Sequence, residues 1–357
     1  MSYDGVEIDM LSLGDADSIL VTRWTNNLPT RVLIDGGDIS DGEKVVDFLR
    51  KRNVRYLDHI VCSHPHDDHA AGLVDVVDCE EIDFGQAWLH QPQNHASFSG
   101  LREAMSKTTA NKVKRILEES LSSELLLRIS LELRQKPFRE PFKGMQIGFL
   151  TVLGPSLEFY EEQLAQFSDL GKLDELEEAL SSYQQRIDRE ENPFLSSSLG
   201  LGSSLFGSSL LGSTGSATES IGLGEAPTEP ENETSTVLGF VHGADTFLLT
   251  ADAGVEALTR VSGGYRLGGL RWMQIPHHGS RRNVNESLIN YFKPETAYVS
   301  AEGTNKHPRR AVVNAFNRAG TEVFSTHYPN GGHLWFRVGN VPVRPEYGNA
   351  VALYNAS

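Results

Sequence analysis

Cysteine is scarce in this chain of 357 residues: Cys62 and Cys79 are the only two. Neither stands in a CxxC pattern, and a cytosolic pair of this kind is more often reduced than bridged. Cys62, in an apolar run, reads as a core thiol. Long hydrophobic runs are lacking too, none reaching the roughly 18–20 residues needed to cross a bilayer. Residues 1–11 carry Asp4, Glu7 and Asp9 without a basic start, which is not the form of a signal peptide. A cytoplasmic protein with no membrane association is expected. Basic residues are outnumbered, 32 Lys and Arg against 48 Asp and Glu, for a net charge of −16. Such a balance normally argues against a polyanionic substrate, but its distribution removes the argument. Residues 156–233 hold sixteen acidic and three basic side chains and account for −13 of the total. Residues 101–143 hold ten basic against six acidic, and Arg281, Arg282, Lys306, Arg309 and Arg310 form further basic clusters.

What remains is a pattern of strands alternating with helices, which points to an α/β architecture. Residues 7–13, 18–22 and 31–34 read as strands, the last ending at Asp35-Gly36-Gly37, a turn sequence. Residues 47–51 are helical, and the apolar run 59–62 reads as a buried strand feeding a polar loop. Helical spacing at Val113, Leu117, Leu121, Leu125 and Ile129 predicts a helix over 112–133. Residues 145–153 read as one strand, and 157–191 as a charged helical stretch. Residues 192–218 are almost pure Ser, Gly and Leu without a charge, and 219–233 add Pro, Thr and Glu. Such a composition builds no core, and a flexible insertion is expected until order returns at Thr236. Strands are predicted over 237–241, 246–250, 270–275 and 297–300, a helix over 309–319, and strands over 322–325 and 334–338 that close the sheet. The division expected is 1–155 and 236–357 as two halves of one fold, with 156–235 as the acidic insertion.

The densest chemistry lies in Ser63-His64-Pro65-His66-Asp67-Asp68-His69: three imidazoles and two carboxylates directly after a strand. A loop there can turn His64 and His66 to one side and Asp68 and His69 to another, which suits two neighbouring divalent ions. Imidazole and carboxylate ligands favour zinc, with manganese as the next candidate. A solvated polar loop would have to gather five ligand-type residues by chance.

His-x-His-x-Asp-His after a strand resembles the signature of the metallo-β-lactamase superfamily. The resemblance implies a four-layer αββα sandwich, with the helical, partly disordered insertion added to it. It further implies a metal-dependent hydrolase holding two divalent ions. Asp35 in Leu-Ile-Asp-Gly-Gly is similar to the family's first motif, and orienting a ligand histidine by a hydrogen bond is its expected role. Asp252 in Leu-Leu-Thr-Ala-Asp is similar to the bridging aspartate. His277 or His278 in Pro-His-His-Gly-Ser is similar to the last ligand histidine, His277 being nearer the strand end. A narrower resemblance, through Asn232-Glu233-Thr234-Ser235, Leu-Leu-Thr-Ala-Asp, Pro-His-His-Gly-Ser and Asn305-Lys306-His307-Pro308, is to the hydrolase domain of the bacterial competence protein ComEC, understood as a nuclease. That protein's membrane channel has no counterpart here, so no role in DNA import is carried over. One departure stands out: the family's third histidine for the first metal has no equivalent after Val152-Leu153-Gly154-Pro155, leaving a water, His90, His95 or His242 as substitutes, or a weakly bound ion.

In the mechanism so implied, two ions activate a water for attack on phosphorus or carbonyl carbon, while Asp68 and Asp252 position it and take up its proton. His307, in a Lys-His-Pro-Arg-Arg setting, can touch a phosphate or protonate a leaving group, or can be a surface residue; His327 and His333 have weaker claims. Asn232, Ser235, Ser280 and Asn305 are candidate substrate contacts. The leading expectation is a phosphodiesterase or nuclease acting on DNA or RNA. The alternatives are hydrolysis of a small molecule (cyclic nucleotide, thioester or lactam) and a regulatory protein that binds a protein partner through the 156–235 insertion.

Overall fold

The computed structural model describes residues 2–95, 123–167, 221, 227–262, 269–303, 306–327 and 329–353. In chain order the strands are β1 (Asp4–Met10), β2 (Ile19–Thr25), β3 (Leu28–Ile34), β4 (Tyr56–Val61), β5 (Asp83–Trp88), β6 (Phe138–Arg139), β7 (Gln146–Ile147), β8 (Leu150–Gly154), β9 (Val237–His242), β10 (Asp245–Leu249), β11 (Trp272–Gln274), β12 (Thr296–Val299), β13 (Glu322–Ser325) and β14 (Leu334–Asn340). The helices are α1 (Gly42–Lys51), α2 (Asp67–Asp78), α3 (Pro92–His95), α4 (Ser123–Leu133), α5 (Leu157–Leu164), α6 (Pro230–Glu233), α7 (Val255–Ser262), α8 (Glu286–Phe292) and α9 (Arg310–Arg318).

Two seven-stranded sheets form, in the orders β14-β1-β2-β3-β4-β5-β6 and β13-β12-β11-β10-β9-β8-β7. Each runs antiparallel through one half and parallel through the other, the change falling at β3 in the first sheet and at β10 in the second. The period-two alternation of side chains explains the layering. Ile19, Val21, Val32 and Ile34 point between the sheets, where Phe247, Leu249 and Trp272 meet them. Their neighbours Leu20 and Leu33 point outward to α1 and α2, under Val45, Leu49, Leu73 and Val77. On the second sheet Leu248 turns outward in the same way to Leu258, Leu288 and Val312 of α7, α8 and α9. Three apolar layers therefore separate four layers of secondary structure, the αββα sandwich expected. Helix α1 shows why the outer layers are helical: Val45, Val46, Phe48 and Leu49 are buried at one-turn spacing, with Glu43 in the first turn and Arg50 and Lys51 in the last to complement the helix dipole.

Several expectations are corrected. Residues 145–153 are not one strand but the hairpin β7–β8, turned at Gly148 with φ +60. The two strands expected to close one sheet part company: β13 edges the second, while β14 crosses to pair with β1 of the first. Residues 227–235, assigned above to the flexible insertion, include a short helix and pack against the fold. Thr228 and residues 231–236 are buried, because the Glu233 carboxylate accepts from the Ala257 N–H at 2.8 Å at the start of α7, and the Thr236 N–H donates to the Ser63 carbonyl at 2.9 Å. Composition averaged over the acidic stretch hides this packed end. Of the helix expected over 112–133, residues 123–133 are helical and the rest lies outside the described residues, as do most of 157–191 and all of 192–218.

Candidate metal centre

Four parallel-strand ends meet along one edge of the sandwich. Asp35 follows β3, Ser63 and His64 follow β4, Asp252 follows β10 and His277 follows β11. The clustered motif is a loop through His66, as the sequence suggested, and from Asp67 the first turn of a helix. His66 is the N-cap of α2, with Asp67 and Asp68 in its first turn, where carboxylates are favoured by the dipole. This entry is pressed against the Asp35 turn. A Cβ on Gly72 would lie 2.0 Å from the Gly36 carbonyl oxygen, so only glycine allows α2 to approach so closely.

Asp35, in a left-handed conformation (φ 61), organises the ligands from one buried carboxylate. Its Oδ1 accepts from the Ser63 N–H at 2.7 Å, and its Oδ2 accepts from the Ser63 hydroxyl at 2.7 Å and lies 2.8 Å from His69 Nδ1. The Ser63 hydroxyl, its proton given to Asp35, is left to accept from His64 Nδ1 at 3.0 Å. Nδ1 of both imidazoles is thereby committed, which leaves Nε2 as the nitrogen that faces the centre and would bind a metal. His278 is set in the same way, with Nδ1 3.2 Å from the Ser300 carbonyl oxygen.

These inward nitrogens converge. His64, His69 and Asp252 form one group able to hold an ion, and Asp68, His69 and His278 form another. His64 Nε2, His69 Nε2 and Asp252 Oδ1 are buried without a hydrogen-bond partner, which costs free energy unless something binds them. Separations of 3.9 Å from His64 Nε2 to Asp252 Oδ2, 3.3 Å from His69 Nε2 to Asp252 Oδ1 and 3.4 Å from His278 Nε2 to Asp68 Oδ2 match a shared ion. Two ligands each ~2.1 Å from one tetrahedral ion lie about 3.4 Å apart. Electrostatics agree with this fit. Burial alone would raise the Asp68 and Asp252 carboxyls, but neighbouring imidazoles outweigh it and hold both below the ordinary range. Burial would lower His69 and His278, yet the surrounding carboxylates raise both, His278 to about 9. His64, which burial and its neighbours His69 and His66 push well down, stays neutral. Protons on imidazoles balance the carboxylates, and a divalent cation can take over that role.

The other expected residues fall as follows. His66 is half-buried, its ring 4.8 Å from that of His64. His277 lies beside Asp252, while His278 is the one that reaches Asp68. His307 is buried rather than at the surface, its ring 5.6 Å from His277 and 5.8 Å from His278; burial and those neighbours lower it to about 2. Asn232, expected among substrate contacts, lies behind His277 with its amide 3.1 Å from Nδ1. Ser235 is also buried, the Ser280 hydroxyl accepts from the Arg282 N–H at 3.3 Å, and Asn305 lies outside the described residues. Of the substitute histidines, His90 stacks on Tyr160 with Nε2 3.2 Å from the Thr236 hydroxyl, and His95 pairs with Glu140 at 2.9 Å. His242 ends β9 opposite Asp245, the far end of β10 from Asp252. His327 lies by the Ser325 hydroxyl, and His333 Nδ1 accepts from the Ser12 N–H at 2.9 Å.

Sequence reasoning missed Asp17. This buried carboxylate accepts from the Gln274 amide at 2.8 Å and from the Ser300 hydroxyl, so it joins the two sheets beneath His69 and His278. Burial raises its carboxyl pKa above the ordinary range despite the neighbouring imidazoles. The acidic turn Gly14-Asp15-Ala16-Asp17-Ser18 between two short strands marks the place but not the bonds.

No family model matches the chain. Among curated proteins it is similar to Recombination protein 2 of Haemophilus influenzae, 31% identical over 101 residues, a match that spans 28% of this chain and 13% of that protein's length. Among solved structures it is similar to the metallo-β-lactamase fold protein YhfI from Bacillus subtilis, at 10% identity and a TM-score of 0.40 over 94% of this chain and 100% of that one. It is similar to a diphosphatase of the PhnP family at 11% identity and 0.39, over 94% and 98% of the two chains. A variant of the β-hydroxylase CmlA aligns at 12% and 0.40, over 93% of this chain and 54% of that one.

Proposed function

We propose that this protein is a hydrolase dependent on two divalent metal ions, and that it cleaves phosphodiester bonds in nucleic acid. The observation that carries the first part is the convergence of buried, unpartnered ligand atoms from His64, His69 and Asp252 beside Asp68 and His278. Zinc suits this mixed imidazole and carboxylate set, with manganese next. When bound, two such ions supply an activated water and neutralise charge growing on the substrate oxygen. The chain's own part is to place two carboxylates where they can orient that water. Asp252 has its two oxygens turned to different histidines, and Asp68 stands partly exposed at the mouth with His278 Nε2 3.4 Å away.

Support for a polyanionic substrate comes from position. Arg281 and Arg282 follow the His277-His278 turn, and Arg309 and Arg310 follow His307. The Arg309 N–H donates to the Gly279 carbonyl at 3.1 Å, so the two segments that carry these basic pairs meet beside His278. Cations so placed track a phosphate backbone. The partial match to a protein named for recombination is in keeping with that reading.

The test is to purify the protein, measure its bound metal, and offer single- and double-stranded DNA, RNA and cyclic nucleotides with zinc or manganese. Cleavage that disappears in His66→Ala and Asp68→Ala is the expected result. Activity untouched by both changes would sink the proposal. A salt titration separates substrates: binding through several phosphates weakens steeply with salt, and small-molecule turnover does not.

A further inference from the structure

Behind the ligands of the second sheet lies a series of buried polar groups that the proposed reaction leaves without a task. Asp17 stands between β1 and β2, Gln274 ends β11 and Ser300 follows β12, and all three are buried. The Gln274 amide donates to Asp17 Oδ2 at 2.8 Å, while its own oxygen accepts from the Thr250 and Ala251 N–H groups at 3.1 and 3.0 Å. Those two N–H groups open the turn that carries Asp252. The Ser300 hydroxyl donates to Asp17 Oδ1, and its oxygen lies 3.3 Å from His278 Nδ1, beside the Ser300 carbonyl oxygen at 3.2 Å. We infer, resting on the two-ion reading above, that Asp17 is a positioning residue of the metal centre. Through Ser300 it sets His278, and through Gln274 it sets the Asp252 turn.

The backbone of Asp17 supports this role. Its N–H donates to the Asp68 carbonyl at 3.1 Å, and its carbonyl accepts from the Gly37 N–H at 2.8 Å. The main chain is thus tied to the entry of α2 and to the Asp35 turn, on the side of the first sheet, while the side chain holds residues of the second. Asp68 and His278 belong to one group of ligand atoms, with His278 Nε2 3.4 Å from Asp68 Oδ2. One residue therefore bonds to both sides of that gap, to Asp68 directly and to His278 through Ser300.

A repeated arrangement gives independent support. Asp35, Ser63 and His64 form a series of carboxylate, hydroxyl and imidazole, at 2.7 and 3.0 Å. Asp17, Ser300 and His278 form the same series from the other half of the fold. In both, Nδ1 is engaged from behind and Nε2 faces the centre. Such buried networks hold a single geometry when every member is satisfied and lose it when one is not.

The pattern of donors and acceptors supplies the test. Asp17→Asn leaves one oxygen for two donors. With that oxygen on Ser300, its NH2 meets the Gln274 NH2, and turning Gln274 over sets an NH2 against the Thr250 and Ala251 N–H groups instead. With the oxygen on Gln274, the NH2 meets the Ser300 hydroxyl, whose proton must turn towards His278 Nδ1. Gln274→Glu alone sets two carboxylates face to face. Combined, the two changes restore the pattern: the amide at 17 donates to the carboxylate at 274, which still accepts from Thr250 and Ala251, and the net charge is that of wild type.

Metal-stripped wild type, both single variants, the double variant and Ser300→Ala are titrated with zinc, and the melting of each stripped protein is compared. Wild type should take up two ions. Each single variant should bind at least one of them about 10- to 100-fold more weakly, and the double variant should recover most of the loss. Ser300→Ala, which cuts only the arm to His278, should weaken one ion and spare the other. Single variants that hold both ions as wild type does, even where the stripped protein melts lower, would reduce Asp17 to a structural link and overturn the inference. A double variant that binds no better than the singles would overturn it too. Should the variants at 17 and 274 fail to fold, Ser300→Ala decides alone, and two ions at wild-type affinity there would overturn the inference. Wild type that takes up fewer than two ions would refute the two-ion reading itself, a result distinct from any of these.

Discussion

Exchanging Asp35 for asparagine alters the chemistry of one atom and almost nothing of its shape. Asparagine also tolerates the left-handed backbone at this position, φ 61. The carboxylate has three donors to satisfy: the Ser63 N–H, the Ser63 hydroxyl and His69 Nδ1–H. An amide has only one oxygen for them. If that oxygen faces the Ser63 N–H, the NH2 group faces His69 Nδ1 and the Ser63 hydroxyl. His69 must then accept on Nδ1 and carry its proton on Nε2. The hydroxyl, now an acceptor towards residue 35, turns its proton to His64 Nδ1, which moves the His64 proton to Nε2 as well. Both ligands are then blocked. If the amide is turned over, its NH2 meets the Ser63 N–H and a buried donor is orphaned, at about 1–3 kcal/mol. Either way Asp35→Asn should lower metal affinity about 10- to 100-fold, or about 1.4–2.8 kcal/mol. Competition against a chromophoric chelator at constant pH measures this directly. Asp35→Asn protein that competes as strongly as wild type would refute the relay from Asp35 to the two histidines.

Metal removal should lower thermal stability, since free ion at 100 times its Kd stabilises by about 2.7 kcal/mol; a melting temperature that does not change between chelator and zinc would contradict a folded-state metal site. Gly72→Ala should destabilise by about 1–3 kcal/mol, because its Cβ would lie 2.0 Å from Gly36 O and force α2 off the Asp35 turn; an unchanged urea midpoint would refute the contact. Glu124 is buried, and burial raises its carboxyl to about 8 from 4.5. The folded state therefore keeps a proton that the unfolded state loses, so the contribution is fully present below about pH 4.5 and is lost as pH rises to about 8, at about 1.4 kcal/mol per pH unit. Glu124→Gln should thus gain on wild type steadily between pH 5 and 8 in urea titrations, and a difference independent of pH would refute the shift.

The half of the candidate centre carried by His64 to His69 was legible because its ligand-type residues are contiguous, and such residues gather in seven positions for few other reasons. Asp252 and the His277-His278 pair were legible only through resemblance, since a lone aspartate after a strand has many uses. Two features hid from the sequence for a physical reason. Asp17 acts through Gln274 and Ser300, partners far along the chain on the other sheet, and no local pattern records such a bond. The segment ending at Thr236 looks like part of a solvated insertion because its Glu and Thr content is averaged with its neighbours, yet Glu233 is consumed in capping α7. The strand pattern was legible wherever one side faced a core. It failed at β7–β8, where an alternating run conceals a turn, and at β14, whose partner no local signal names.

That last pairing sets a timetable. Strand β1 puts Val6, Ile8 and Met10 between the sheets and Glu7 and Asp9 on its other face, where Arg344 and Tyr347 join Arg52 in holding them. During synthesis at about 5–20 residues per second, residues beyond β14 follow Glu7 only after tens of seconds. Until then the first sheet has an open edge at β1 and two acids short of their full counter-charge. The first described strand is thus finished by the last described one, and the edge at β1 stays open to other pairings until it arrives.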